Sequence, residues 1–499
     1  MRKFFWIILV IFFLSRFCFL ANFPHFYDSP EYFRESTNNS FFSSLARSHE
    51  SIHPVWLFLT QTFQKIVPQN NVWEISLISA IFGLIGFLAF YFLIKRNFGE
   101  KIAIFSSVPL FFFPHLWLIQ TNVLHESLDC GLFLSALLFF DFFLDKLDKK
   151  KLAWFLMAVI FLSLAIFDFV GILLWMPVFL GWAIFKSKKL NWHQNLGWSL
   201  GIIIASFLIA ITGLYGLLSL SQTIDPTFRL KSLLLGYGGG GIFSGWNILN
   251  ILRMLRNDGL ILFYGYSLAA ILGLMITGFY LVKQKKWPLI IFLLTFFLPF
   301  IIIGKFWYGG LFGRYSVLIA YPLALLLALM PWRKIYGIMI LILFLSFLPT
   351  FIAYQKTPIP QIEASLIDKI NLKENDILIL SDYQRPQLDY RNALYLNGDE
   401  KMQKAIEENI DKKLLQGDRV FISQQAINFP YWQYDGQQIH IISKGNKIHL
   451  ISKGNKDKAQ LKEFLKDKEK ELVAEDKEYP LLAIYQIRTS PRARTLFFK

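Results

Sequence analysis

Apolar runs of bilayer-crossing length recur along the chain as far as residue 354, and no other feature constrains the fold as strongly. Stretches 4–20, 72–94 and 335–353 approach or reach the ~20 residues that cross a hydrocarbon core. A backbone in lipid has to satisfy its own polar groups, so such runs become helices. Composition agrees. Charged residues are 17% of the 499, well below the roughly 25% of soluble domains, and mean hydropathy is +0.43. The two cysteines, Cys18 and Cys130, both lie inside apolar runs, which excludes a disulfide-stapled secreted scaffold. The fold class is therefore mainly α: a polytopic transmembrane bundle of about eleven spans, followed by a soluble α/β domain.

The expected spans are 4–20, 72–94, 102–119, 126–144, 152–166, 169–185, 196–219, 259–282, 288–304, 316–331 and 335–353. The net charge of +16 is unevenly placed: the first 354 residues hold 27 basic and 14 acidic groups, and the remainder 24 and 21. Clustered on a soluble domain, this excess would suggest nucleic acid. It falls instead in short loops between apolar runs, where it sets topology, and no nucleic-acid partner is expected. Arg2 and Lys3, Lys95, Arg96 and Lys101, Lys149 to Lys151, Lys186, Lys188 and Lys189, Lys283 to Lys286, and Arg333 and Lys334 alternate with loops poorer in such residues. The expected arrangement is a multi-pass plasma-membrane protein with a cytoplasmic amino terminus. Residues 1–354 form its membrane domain, with a long outer loop at 21–71, and 355–499 an extracytoplasmic domain. Within the tail, 376–381, 419–423 and 480–487 read as strands, and 361–371, 400–415 and 457–474 as amphipathic helices. IHIISKGNK at 439–447 is repeated as IHLISKGNK at 448–456, which reads as a local duplication forming a hairpin or an extra loop.

Ionisable residues at a membrane boundary point to function. The outer loop carries His25, Asp28, Glu31, His49 and His53; Glu126 and Asp129 open the fourth span; Asp168 marks a third outer turn. If a helix starts at Pro30, Ser29 or Asp28 caps it, and Asp28 lies at the positive end of the helix dipole. An ionised carboxylate there suits a general base. Cationic groups on the same side include Arg229, Lys231, Arg253, Arg256, Lys305 and Arg314, which suit a phosphate leaving group. The glycines from Gly236 to Gly241 lack a following GK[ST] and read as a mobile lid rather than a nucleotide loop. The histidines make no metal site by spacing, although His49 and His53 can share a helix face, so a divalent cation stays open and no other cofactor is expected.

With these residues in view, the chain resembles the GT-C superfamily of membrane glycosyltransferases, most closely the branch of protein O-mannosyltransferases and aminoarabinose transferases. Asp28 to Glu31 follows the first span, His53-Pro54 leads toward the second, His125-Glu126-Ser127-Leu128 opens the fourth, and Gly313-Arg314-Tyr315 begins a late one. The resemblance covers about 350 residues and departs from the adjacent Asp-Glu pair of the protein mannosyltransferases. It implies a polyprenyl-phosphate-linked sugar donor, a glycan, lipid or protein acceptor and inverting transfer at the outer leaflet. Asp28, Glu31 and Glu126 are then the catalytic candidates. His53, Asp129, Lys305, Arg314 and Tyr315 are the substrate-binding ones. A polymerase or ligase of lipid-linked polysaccharide, or a flippase, is the competing expectation.

Overall fold

The computed structural model describes residues 2–21, 29–37, 40–46, 53–67, 71–145, 150–187, 192–221, 225–227, 230, 248–306, 316–354, 359–381, 393–396, 400–427, 439–444, 447–452, 465–475 and 483–489. The chain divides into two compact units, Met1–Phe351 and Ile352–Lys499.

The first unit is helical: α1 (Arg2–Phe17), α2 (Ser29–Thr37), α3 (Phe41–Ala46), α4 (Pro54–Ile66), α5 (Val72–Phe98), α6 (Glu100–Ser107), α7 (Pro114–Thr121), α8 (Glu126–Leu144) and α9 (Lys151–Asp168). These are followed by α10 (Pro177–Lys186), α11 (Trp192–Leu220), α12 (Ile248–Lys283), α13 (Trp287–Phe306), α14 (Ala320–Ala328) and α15 (Arg333–Tyr354). Among the described residues six helices are long and apolar enough to cross a membrane, or seven with one bent pair; three apolar helices, 170–186, 287–302 and 316–328, are shorter. The expected outer loop is thus largely helical, and α2 starts at Ser29, beside Pro30.

Burial separates the spans. The apolar window of α8 is 83% buried, against 22% for α11 and for 333–352, so α8 is central and the other two face outward. Close approach, not hydropathy, brings α5 against α8, because lipid is as apolar as leucine. A Cβ on Gly131 would stand 2.7 Å from the Phe82 carbonyl oxygen, and one on Gly83 would meet the Gln120 side chain at 2.8 Å.

The 102–119 stretch is not one straight span. It breaks into 100–111 and 114–121, bent by 74°, because Pro114 cannot donate to the helical ladder. The break leaves carbonyls that need donors. The Arg16 guanidinium supplies one, donating to Leu110 O at 2.7 Å and to Gln120 Oε1 at 3.0 Å, while lying 4.0 Å from the Phe12 ring centroid. Arg16 is thus a buried staple between α1 and the broken span, which explains a cation near the end of the first apolar run.

Asp129 and Asp141 both lie on α8, twelve residues or about 18 Å apart. At Asp141 every demand is met: Arg96 Nε at 2.8 Å, Lys186 Nζ at 3.0 Å, Trp182 Nε1 and Asn97 Nδ2 each at 3.2 Å. Removing one member of a buried ion pair costs about 3–5 kcal/mol. Arg96 and Lys186 keep 30% and 24% of their side-chain exposure, so their loss of a partner is softened by solvent. Asp141→Ala should therefore destabilise by an amount near the lower end of that range. A thermal unfolding midpoint in detergent within 1 °C or so of the parent would show that the network contributes little.

The second unit holds a five-stranded sheet. β1 (Ile377–Ser381), β2 (Ala393–Leu396), β3 (Val420–Ser423), β6 (Lys468–Glu475) and β7 (Ala483–Thr489) take the spatial order β2-β1-β3-β7-β6. β1 runs parallel to β2 and β3, and β7 antiparallel to β3 and β6. Leu378, Leu380 and Phe421 pack on Leu366 and Ile367 of helix Ile359–Ile370, and Ile379, Val420 and Ile422 on Ile406 and Ile410 of helix Glu400–Gln416. Burial on both faces is why these strands read as unbroken apolar runs. The expected helix 457–474 is corrected over its last part. Residues 468–475 form edge strand β6, since pairing with β7 outweighs the helix propensity of its Lys and Glu. The duplicated nonapeptides form an antiparallel pair, β4 (Ile439–Lys444) with β5 (Lys447–Ser452).

Candidate functional site

Where α7 ends and α8 begins, three distant segments of sequence meet. His53 caps the start of α4, His125 that of α8, and Asp168 closes α9. Pro54 at the first helical position leaves the Trp56 N–H pointing out of the end of α4, where it donates to Asp168 Oδ1 at 2.7 Å. His53 Nδ1 lies 3.2 Å from the Asp168 backbone oxygen. A carbonyl only accepts, so Nδ1 carries the proton and Nε2 keeps its lone pair for another group.

The His53 and His125 rings stack at 3.4 Å between centroids and 23° between planes. Tyr32 from α2 meets both edge-on, at 5.4 and 5.6 Å, and Phe169 flanks both. Ser36 Oγ, bonded at 2.9 Å to Thr60 Oγ1, holds α2 on α4 and so places Tyr32 over the pair.

Carboxylates complete the site. His125 Nδ1 is 2.7 Å from Asp129 Oδ2 and 3.9 Å from Asp168 Oδ2, and its Nε2 is 3.3 Å from Glu126 Oε1. All five of His53, His125, Glu126, Asp129 and Asp168 are at most 2% exposed. Burial alone would push the His125 imidazole down, but the Glu126 and Asp129 carboxylates outweigh it and raise it to about 10. Three buried carboxylates demand positive charge, and a proton on His125 is one way to supply it.

A metal ion is the other. One donor atom each from His53, His125 and Asp168 lies within 4.8 Å of the others. Asp168 Oδ2 and Asp129 Oδ1 are buried without a hydrogen-bond partner. Two imidazoles and a carboxylate, with stacked rings near the ~3.3 Å ligand separation of a tetrahedral site, fit a divalent cation. Spacing along the chain could not show this, because the two histidines are 72 residues apart and come together only through packing.

Of the expected site residues, His53, Glu126 and Asp129 converge here. Asp168, read from sequence as an ordinary turn residue, is a central member; its signal was a lone acid between two apolar runs. His125 entered only through the His-Glu-Ser-Leu motif, and Tyr32 went unremarked. Asp28, Arg314 and Tyr315 lie outside the described residues, as do His49 and the glycines 236–241. Glu31 is in α2 and Lys305 in α13, with side chains that are not described.

A helical membrane unit with this end-on polar site has the fold of the GT-C superfamily of polytopic membrane glycosyltransferases, related to its aminoarabinose-transferase, protein-mannosyltransferase and oligosaccharyltransferase branches. Residues 51–215 match the family described as dolichyl-phosphate-mannose-protein mannosyltransferase. The chain is similar to ArnT from Cupriavidus metallidurans, with TM-scores of 0.55 for the apo state and 0.57 for the undecaprenyl phosphate complex. Identity is 12%, covering 90% of this chain and 97% of that one. It is similar also to the Archaeoglobus fulgidus oligosaccharyltransferase in complex with Zn and sulfate, at TM-score 0.52 and 13% identity over 85% of this chain and 68% of that one. No curated protein sequence matches the chain.

Proposed function

We propose that the protein transfers a sugar from a polyprenyl-phosphate donor to an acceptor hydroxyl at the outer leaflet, with inversion. The observation that carries this reading is the buried histidine–carboxylate cluster at one end of a GT-C bundle, where a membrane enzyme would meet a lipid headgroup. Asp28 takes the proton from the acceptor hydroxyl. The acceptor oxygen bonds to the anomeric carbon as the bond from that carbon to the phosphate oxygen breaks, and the polyprenyl phosphate leaves with the electron pair. Asp28 precedes Ser29, the first residue of α2, and Tyr32 of that helix lies on the cluster, so the chain tethers Asp28 near it. Glu31 orients the acceptor, and Glu126 is the second carboxylate that can serve as base. Arg314, with Lys305 and Tyr315, holds the leaving phosphate, whose charge it offsets.

His53, His125 and Asp168 would hold a divalent cation, with Asp129 and Glu126 around them. When bound, the ion supplies positive charge beside the reacting centre. The chain's own part is to keep that pocket dry and the carboxylates aimed.

In this reading the amino terminus is cytoplasmic and residues 355–499 are extracytoplasmic. An impermeant thiol reagent should label Ser381→Cys, but not Lys149→Cys, in intact cells; the opposite pattern would invert the map. The function itself is tested by supplying membranes that contain the protein with radiolabelled polyprenyl-phosphate sugars. Sugar transfer above that of protein-free membranes is expected, and its absence across hexose and pentose donors would overturn the proposal.

A further inference from the structure

Asp258 opens the apolar part of α12, and the site just described makes no use of it. Its residue is 5% exposed, and both carboxylate oxygens are buried without a hydrogen-bond partner. It faces the bundle, not lipid: Asp258, Ile261, Tyr266, Ala269 and Ala270 form one buried stripe, while Leu255, Phe263 and Leu268 on the other face are about half exposed. Contrast Asp141, the other isolated-looking acid of the bundle, which has four polar partners. An acid buried in a membrane span with no partner is costly. The neighbouring packing offers it nothing.

The packing also fixes which end of the bundle Asp258 occupies. α15 starts beside Phe105, where Tyr336 OH donates to the Phe105 carbonyl at 2.7 Å, and then passes Phe112 through Phe344 and Trp117 through Phe351. It therefore runs with the broken span toward Asn122 and His125. α12 meets this pair at mid-height, with Ser267 Oγ 3.0 Å from Ser346 Oγ and the Tyr266 ring 5.9 Å from His115. Its later half descends the other way. Thr277 bonds to Leu326 of α14, and α14 leads to Ala328, whose carbonyl takes Arg333 while the Arg333 guanidinium covers Phe105. Asp258, nine residues before Ser267, is then about 13 Å nearer the end that holds the histidine cluster.

From this placement we infer that Asp258 is a sugar-binding residue, accepting hydrogen bonds from hydroxyls of the donor's headgroup. A phosphate is excluded as its ligand by like charge, and a metal ion by the lack of a second ligand group beside it among the described residues. A polyol brings hydrogen-bond donors without charge and can engage both oxygens at once. The inference rests on the glycosyltransferase reading above and adds a contact that selects the sugar.

The test uses the full chain in phosphatidylcholine nanodiscs, with radiolabelled polyprenyl-phosphate sugars extracted from host membranes as the donor. Asp258→Asn keeps the shape and removes the charged acceptor. The donor concentration for half-maximal rate should rise about tenfold to a hundredfold, and the thermal midpoint should not fall, since no protein partner is lost. Asp258→Leu should show a similar or larger rise with the fold retained. An unchanged half-saturation in both variants, beside an active parent, overturns this inference alone. So does a fall in thermal midpoint with half-saturation unmoved, which marks a structural carboxylate. A shift seen only in discs containing phosphatidylethanolamine assigns the group to a lipid amine and overturns it too. An inactive parent removes the glycosyltransferase reading and this inference with it.

Discussion

Asp28→Asn should lower turnover by about 10²–10⁴, the usual cost of losing a general base, while donor binding is retained. The amide preserves size and hydrogen bonding but cannot take the acceptor proton. Leaving-group departure needs no strong acid, because the polyprenyl phosphate departs as an anion that cations stabilise. The whole defect should therefore appear in the rate constant, with little change in half-saturation by the donor. The competing carboxylate is Glu126, which lies against His125 at the cluster. Near-normal turnover in Asp28→Asn beside an inactive Glu126→Gln would transfer the base to α8.

His125→Ala should weaken divalent-cation binding by at least about a hundredfold. Replacing even an outer partner of a metal ligand typically costs 10–100-fold in affinity, and His125 offers a donor atom itself. The measurement is a titration of the chelator-treated, full-length protein with Mn²⁺ or Zn²⁺, read by calorimetry and independent of transfer activity. The ring also stacks on His53 and bonds to Asp129, so folding has to be checked by thermal midpoint. His125→Asn, which keeps polarity in the buried site, is the second variant. Equal affinity in the parent and both variants would mean that a proton on His125, not a metal ion, neutralises the three carboxylates.

Much of the fold was legible because membrane insertion is a local property. Each expected span falls on a helix of the structure, since transfer of an apolar stretch is nearly additive along the chain. The tail strands were legible for a related reason: 377–380 and 420–422 are apolar on both faces, as a covered sheet demands. Where local preference competed with pairing, the reading went astray. Lys468 to Glu475 has the composition of a helix, yet it lies as an edge strand against β7. The straight span at 102–119 likewise ignored that Pro114 can break a helix when another group, here Arg16, takes up a freed carbonyl.

The candidate site divides in the same way. From sequence alone came the concentration of acids and histidines at the ends of spans, since charge is expelled from apolar runs and every remaining case stands out. His53, Glu126 and Asp129 were found so. Sequence could not join His53, His125 and Asp168, which lie at the ends of three different helices. Their meeting depends on α5 approaching α8 closely enough at Gly131, on α2 holding to α4 through Ser36 and Thr60, and on the Trp56 amide reaching Asp168. Hydropathy acts residue by residue along the chain and carries no record of which helix ends become neighbours. Shape complementarity between helices decides that, and with it whether two histidines 72 residues apart are solvated loop residues or a cation site.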